Sequence, residues 1–70
     1  MIVISFESTH AAMAAQKLLE GLRFDVIPTP VQVTATCGIA LRLGDDLLEE
    51  AHVRLQRDEH ICAQAAWHYF

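Results

Sequence analysis

The stretch TATCGIALRL, residues 34–43, places a cysteine and a glycine at the start of a segment with the pattern of a buried strand. A deprotonated cysteine is a nucleophile and a metal ligand, whereas a protonated and buried cysteine behaves as a small hydrophobic residue. The chain has one other cysteine, Cys62. The position of Cys37 in the fold therefore decides which of these roles it has.

Short apolar runs predict four strands, and two amphipathic stretches predict a helix after the first strand and another after the third. The first helix, of about 12 residues, has Ser8 as its N-cap and Gly21 as its stop signal. The second follows Gly44 and runs through the stretch GDDLLEEAHVRLQRDEH, with Asp46 opening a capping box. The predicted strands cover residues 2–6, 24–27, 37–43 and 62–70, and Pro28 favours an edge position for the second.

This order of elements predicts one α+β domain over residues 1–70, with the ferredoxin-like βαββαβ arrangement. The antiparallel sheet is expected in the order 4-1-3-2, with both helices on one face. In that topology the third strand begins where the first strand ends and the first helix starts. Cys37 is therefore expected to lie beside Ser8, Thr9 and His10.

A thiol at that position is expected to be acidic. The first turn of a helix presents N–H groups and the positive end of a dipole, which stabilise an anion and can lower the pKa of a cysteine well below its ordinary value of about 8.5. Ser8 and Thr9 have hydroxyls that can donate hydrogen bonds, and His10 offers a proton acceptor or a positive partner.

Access to the sulfur is expected from the side of Gly38, which has no side chain to shield it. The loop from Pro28 to Thr36 is expected to form the opposite wall of the site.

Other roles for the two cysteines remain open. Cys37 also fits a structural role, because cysteine is among the residue types most often buried. A disulfide with Cys62 is disfavoured, since two strand spacings separate the residues by about 9.6 Å and a disulfide needs Cα atoms within about 7 Å. Redox sensing with Cys62 as the resolving thiol would need a local rearrangement. His10, Cys37, His60 and Cys62 have the right types for zinc, but no CxxC or HxxxH pair prepares a metal site.

The charge and hydropathy of the chain indicate which kinds of partner it can bind. The net charge is -4, and the five Lys and Arg residues form no cluster, which argues against nucleic acid as a ligand. The sequence shows neither a signal peptide nor an apolar run of the roughly 20 residues that span a bilayer. We therefore expect a cytoplasmic protein that does not interact with membranes.

The segments STHAAMAAQKLLEG, VIPTP and TATCGIALRL occur in an order and spacing that resembles the putative Se/S carrier protein-like family of small bacterial proteins. The resemblance covers roughly the first two thirds of the chain. It implies that Cys37 holds sulfur or selenium as a persulfide or selenosulfide between a donor and an acceptor protein. Such a role implies a carrier or accessory protein rather than an enzyme with its own substrate, and it needs no cofactor.

A different class of function is a non-catalytic interaction or regulatory module with Cys37 as a buried structural residue. Val3, Ser5, Gly38 and Ala40 are expected on the sheet face opposite the helices, where they would form a flat surface of small residues. Such a surface predicts a homodimer that forms through the exposed sheet face.

Overall fold

The computed structural model describes residues 1–30 and 38–70. Their order of elements is β1 (Ile2–Phe6), α1 (Thr9–Leu18), β2 (Phe24–Pro28), β3 (Ile39–Leu43), a 3₁₀ turn (Asp45–Leu47), α2 (Leu48–Leu55), α3 (Glu59–Gln64) and β4 (Ala65–Tyr69). The strands form one antiparallel sheet in the order β2-β3-β1-β4. This is the predicted sheet order, and the arrangement is ferredoxin-like.

The register defines the two faces of the sheet. Ile4 of β1 lies opposite Leu41 of β3 and Trp67 of β4, so these three side chains point to the same face. That face packs against the helices. Among the described residues, a hydrophobic core cluster combines alternate strand residues with residues of α1 and its C-cap, including Ile2, Ile4, Phe6, Leu41, Leu43, Ala11, Ala12, Ala15 and Leu19.

The first helix has the ends that its sequence predicts. Ser8 has extended backbone angles, and its hydroxyl oxygen accepts a hydrogen bond from the Ala11 N–H at 3.1 Å, so it is the N-cap. Beyond the last turn, Gly21 has a φ of +94°, which side chains disfavour. The helix is therefore bounded by one capping hydroxyl and one glycine.

The second predicted helix is not a single helix. Asp46 makes no capping hydrogen bond, and the segment begins instead as a 3₁₀ turn before α2. The chain then leaves helical geometry at Asp58, whose extended backbone and carboxylate start α3 by accepting hydrogen bonds from the N–H groups of His60 and Ile61. The capping aspartate therefore divides the predicted helix into α2 and α3.

The prediction of a last strand from residue 62 is wrong at its start. Cys62 lies in α3, and β4 begins only at Ala65. The stretch before Ala65 includes the good helix formers Glu59, Ala63 and Gln64 and follows the Asp58 cap, so it forms a helix rather than a strand. The argument against a disulfide between Cys37 and Cys62 placed both residues on strands. Because Cys62 lies in α3, two strand spacings do not describe the distance between the two cysteines.

The sheet face opposite the helices is less open than predicted. Val3, Ser5 and Ala40 retain at most 1% of their exposure, and only Gly38 of the four expected residues is exposed. The three buried residues lie on the two middle strands, and larger side chains on the same face flank them, among them Arg42 and His68 opposite Val3. The expected flat surface of small exposed residues is therefore wrong, whereas the predicted homodimer is not tested.

Candidate functional site

The end of the sheet predicted to contain the thiol is formed as expected. Ser5 pairs with Ala40, so the start of β3 lies beside the end of β1, where the chain enters α1. Pro28 pairs with Ile39, which brings the end of β2 to the same place. Cys37 and Thr36, together with the rest of 31–37, lie outside the described residues, so the site is described through its neighbours.

Ser8 holds the start of α1 in place through two hydrogen bonds. Its Oγ accepts from the Ala11 N–H and donates to Oε1 of Gln64 at 2.9 Å. A serine hydroxyl has one hydrogen to donate, and here it is directed to Gln64. Ser8 must release Gln64 before it can donate to another acceptor.

The sequence does not predict Gln64 in this region, because its pattern predicts a strand over residues 62–70. It is the last residue of α3, and its amide brings that helix end to the first turn of α1. Recognising Asp58 as an N-cap would have predicted α3, but the contact with Ser8 spans 56 residues and has no local signal.

The first turn of α1 retains the polarity that favours an anion. It has no acidic residue, and α1 is ten residues long. Thr9 and His10 are both exposed there, while Glu7, also exposed, precedes the cap. The helix dipole and the exposed polar side chains therefore favour negative charge at this end, and the Glu7 carboxylate works against it.

Gly38 lies at the mouth of the same region. It is exposed, its carbonyl accepts a hydrogen bond from the Thr29 N–H at 3.1 Å, and a methyl group built on its Cα would have no atom of the described residues within 4 Å. The backbone is thus tied to the end of β2, while the space beside it is open. A side chain at this position would be accommodated without disturbing its described neighbours.

Cys62 is a free, half-buried thiol on α3, two residues before Gln64. Among residues 1–30 and 38–70, no group of three or more His, Cys, Asp or Glu side chains could hold a metal ion. His10 and His60 are both exposed. Cys37, the remaining residue of the four with zinc-binding side chains, lies outside the described residues.

The sheet order, the two crossover connections and the helical layer define a small ferredoxin-like α+β protein. The chain belongs to the putative Se/S carrier protein-like family, whose family model matches residues 1–65. The comparison with curated proteins gave no match, and the comparison with solved structures gave none either. Within the described part of the chain, no helix is long and apolar enough to cross a membrane.

Proposed function

We propose that this protein carries sulfur or selenium on Cys37 and passes it from a donor protein to an acceptor protein. The family match over residues 1–65 is the observation that carries this proposal. The register supports it, because it brings the strand that follows Cys37 in sequence to the start of α1. Cys37 is therefore the residue whose chemistry and sequence neighbours best fit the family's name.

The positive end of α1 supplies the electrostatic part of the proposal. A sulfur atom near this turn would be stabilised as thiolate by the helix dipole and by backbone N–H groups. His10 adds a polar group that becomes positive when protonated. Thr9 contributes a hydroxyl, and Ser8 keeps the turn in shape through its bonds to Ala11 and Gln64.

The proposed transfer is a displacement at sulfur. The Cys37 thiolate attacks the terminal sulfur of a donor persulfide, a new S–S bond forms, and the donor S–S bond breaks. The donor cysteine leaves as thiolate with the electron pair of the broken bond. Attack by an acceptor thiolate on the terminal sulfur of the Cys37 persulfide reverses these roles and regenerates the Cys37 thiolate. A selenosulfide follows the same scheme with selenium as the terminal atom.

Gly38 and Thr36 flank Cys37 in the sequence and complete the proposed site. A Cβ at Gly38 would have no described atom within 4 Å, which supports an approach of the partner's cysteine from this side. Thr36 belongs to the wall proposed on the other side. A site bordered by the exposed Gly38 suits exchange between proteins better than conversion of a small substrate, and it requires no cofactor.

Partner binding and location follow from charge and chemistry. The net charge of -4 suits docking to a basic surface on the donor or acceptor. A carrier thiol must stay reduced between transfers, which fits the reducing cytoplasm.

The direct test is sulfur loading. The protein is incubated with a cysteine desulfurase and cysteine, and its intact mass is measured. We expect wild type and Cys62→Ser to gain a sulfur atom, and Cys37→Ser to gain none. Equal behaviour of wild type and Cys37→Ser, loaded or unloaded, contradicts the proposal.

Redox sensing is a second candidate, and the position of α3 favours it. Cys62 lies two residues before Gln64, the helix end that contacts Ser8, rather than on a strand at the far side of β1. In this scheme peroxide oxidises the Cys37 thiolate to a sulfenic acid, and Cys62 displaces water to form a disulfide. Mild peroxide treatment should then produce an intramolecular disulfide, and two persisting thiols would contradict this function.

A further inference from the structure

The outer edge of β4 is unpaired in the described residues. β4 is the terminal strand of the sheet and pairs with β1 on one side only. A strand edge of this kind presents a row of backbone N–H and C=O groups that can pair with another strand.

The alternation of hydrogen bonds between β1 and β4 identifies which backbone N–H and C=O groups of β4 point away from β1. Met1 and Phe70 exchange hydrogen bonds, with the Phe70 N–H donating at 2.9 Å and the Met1 ammonium donating at 3.0 Å. Bonded and non-bonded pairs alternate along an antiparallel ladder. His68 therefore bonds to β1, while Trp67 and Tyr69 direct their N–H and C=O groups away from it.

The two edges of the sheet differ in their protection. β2, at the other edge, contains Asp25 and Pro28 and is followed by Pro30. Charge and proline are the usual means by which an edge strand avoids pairing. β4 contains no proline and no acidic or basic residue other than His68, and its Tyr69 remains 61% exposed.

We propose that β4 pairs with β4 of a second copy of this chain, in antiparallel orientation about a twofold axis near Trp67. The twofold pairing uses the same outward N–H and C=O groups on both copies, so one strand supplies both halves of the interface. Two copies of net charge -4 meet along a strand without formal charge. The result is a continuous sheet across two molecules.

The edge of β4 is a better interface than the sheet face opposite the helices. Val3, Ser5 and Ala40 of that face are already buried within one chain, so a second copy would gain little by covering them. The edge instead has unsatisfied backbone groups and an exposed aromatic side chain that an added strand would cover.

The test compares two substitutions at one position. Tyr69→Pro removes the outward N–H and none of the bonds to β1, whereas Tyr69→Thr removes the same aromatic ring and keeps the N–H. Sedimentation over a range of concentrations should show a dimer for wild type and Tyr69→Thr, and loss of the dimer for Tyr69→Pro. A monomeric wild type, or a Tyr69→Pro variant that associates as strongly as Tyr69→Thr, overturns the proposal.

Amide hydrogen exchange on the wild-type protein provides a test that needs no variant. The Trp67 and Tyr69 amides should exchange slowly at concentrations where the dimer forms, and rapidly on dilution. The His68 amide, which bonds to β1 within the chain, serves as the control and should stay protected in both conditions. A dimer that leaves the Trp67 and Tyr69 amides unprotected would use another surface and overturn the proposal.

Discussion

The Ser8 hydroxyl donates a 2.9 Å hydrogen bond to Oε1 of Gln64 and so connects the first turn of α1 to the last residue of α3. The same oxygen accepts from the Ala11 N–H, so one side chain caps a helix and joins two helix ends. This connection lies at the end of the sheet where β3 begins. The geometry of the proposed sulfur site thus depends on a contact between two distant parts of the sequence.

Replacing Ser8 should destabilise the fold. Ser8→Ala removes the cap and the bond to Gln64, and we expect a loss of about 1 to 2 kcal/mol in the free energy of unfolding. Gln64→Ala removes the interhelical bond alone and should cost less. Chemical denaturation of both variants and the double variant measures the coupling between the two residues. Additive effects would mean that the hydrogen bond contributes nothing.

Gly21 is required by its backbone angle rather than by space. Its φ is +94°, and a Cβ there would have no atom within 4 Å. Gly21→Ala should therefore lower stability by about 1 to 2 kcal/mol through backbone strain. Gly38→Ala is the matched control, because Gly38 has equally open surroundings without that angle. Equal melting temperatures for the two variants would contradict this explanation.

His52 of α2 stacks on Trp67 of β4, and this contact joins the helix to the strand. The ring centroids are 3.8 Å apart and the planes differ by 16°. We expect His52→Ala to cost about 0.5 to 1.5 kcal/mol. His60→Ala, which removes an exposed imidazole, should leave the denaturation midpoint almost unchanged. A His52→Ala midpoint equal to that of His60→Ala would show that the stack does not stabilise the fold.

A side chain at Gly38 should hinder sulfur transfer without harming the fold. The position is exposed and a Cβ there would contact none of the described residues within 4 Å, so we expect Gly38→Val to keep the wild-type melting temperature. If partners approach Cys37 across this residue, the rate of sulfur loading should fall several-fold. Gly44→Val cannot serve as the control for a neutral glycine substitution. A Cβ at Gly44 would lie 2.6 Å from an Asp46 carboxylate oxygen, so this variant is expected to disturb the fold. Wild-type loading rates in Gly38→Val would contradict the proposed path.

The fold was predictable because local and global signals agree over most of the chain. Ile2, Ile4 and Phe6 alternate as a strand requires, Ser8 and Gly21 mark the ends of α1, and the prolines place β2 at an edge. Together with the strand count, these signals leave few topologies. The predicted sheet order is confirmed for that reason.

Two predictions are wrong, the single helix after β3 and the start of the last strand at residue 62, and both concern the position of a helix cap. Asp46 and Asp58 both precede helical stretches, and only Asp58 forms the side-chain cap. The capping-box pattern at Asp46 predicts one long helix, after which the stretch from Cys62 is predicted as a strand. The partners of Ser8 were beyond sequence reasoning, since the contact with Gln64 depends on where α3 ends.

The alkylation rate of Cys37 as a function of pH, measured on Cys62→Ser so that only one thiol reacts, tests the central claim most directly. A thiolate stabilised by the start of α1 should give a midpoint well below that of an ordinary thiol, about 8.5. Ser8→Ala in the same background should move the midpoint upward. A midpoint at or above the ordinary value, unchanged by Ser8→Ala, would contradict the account.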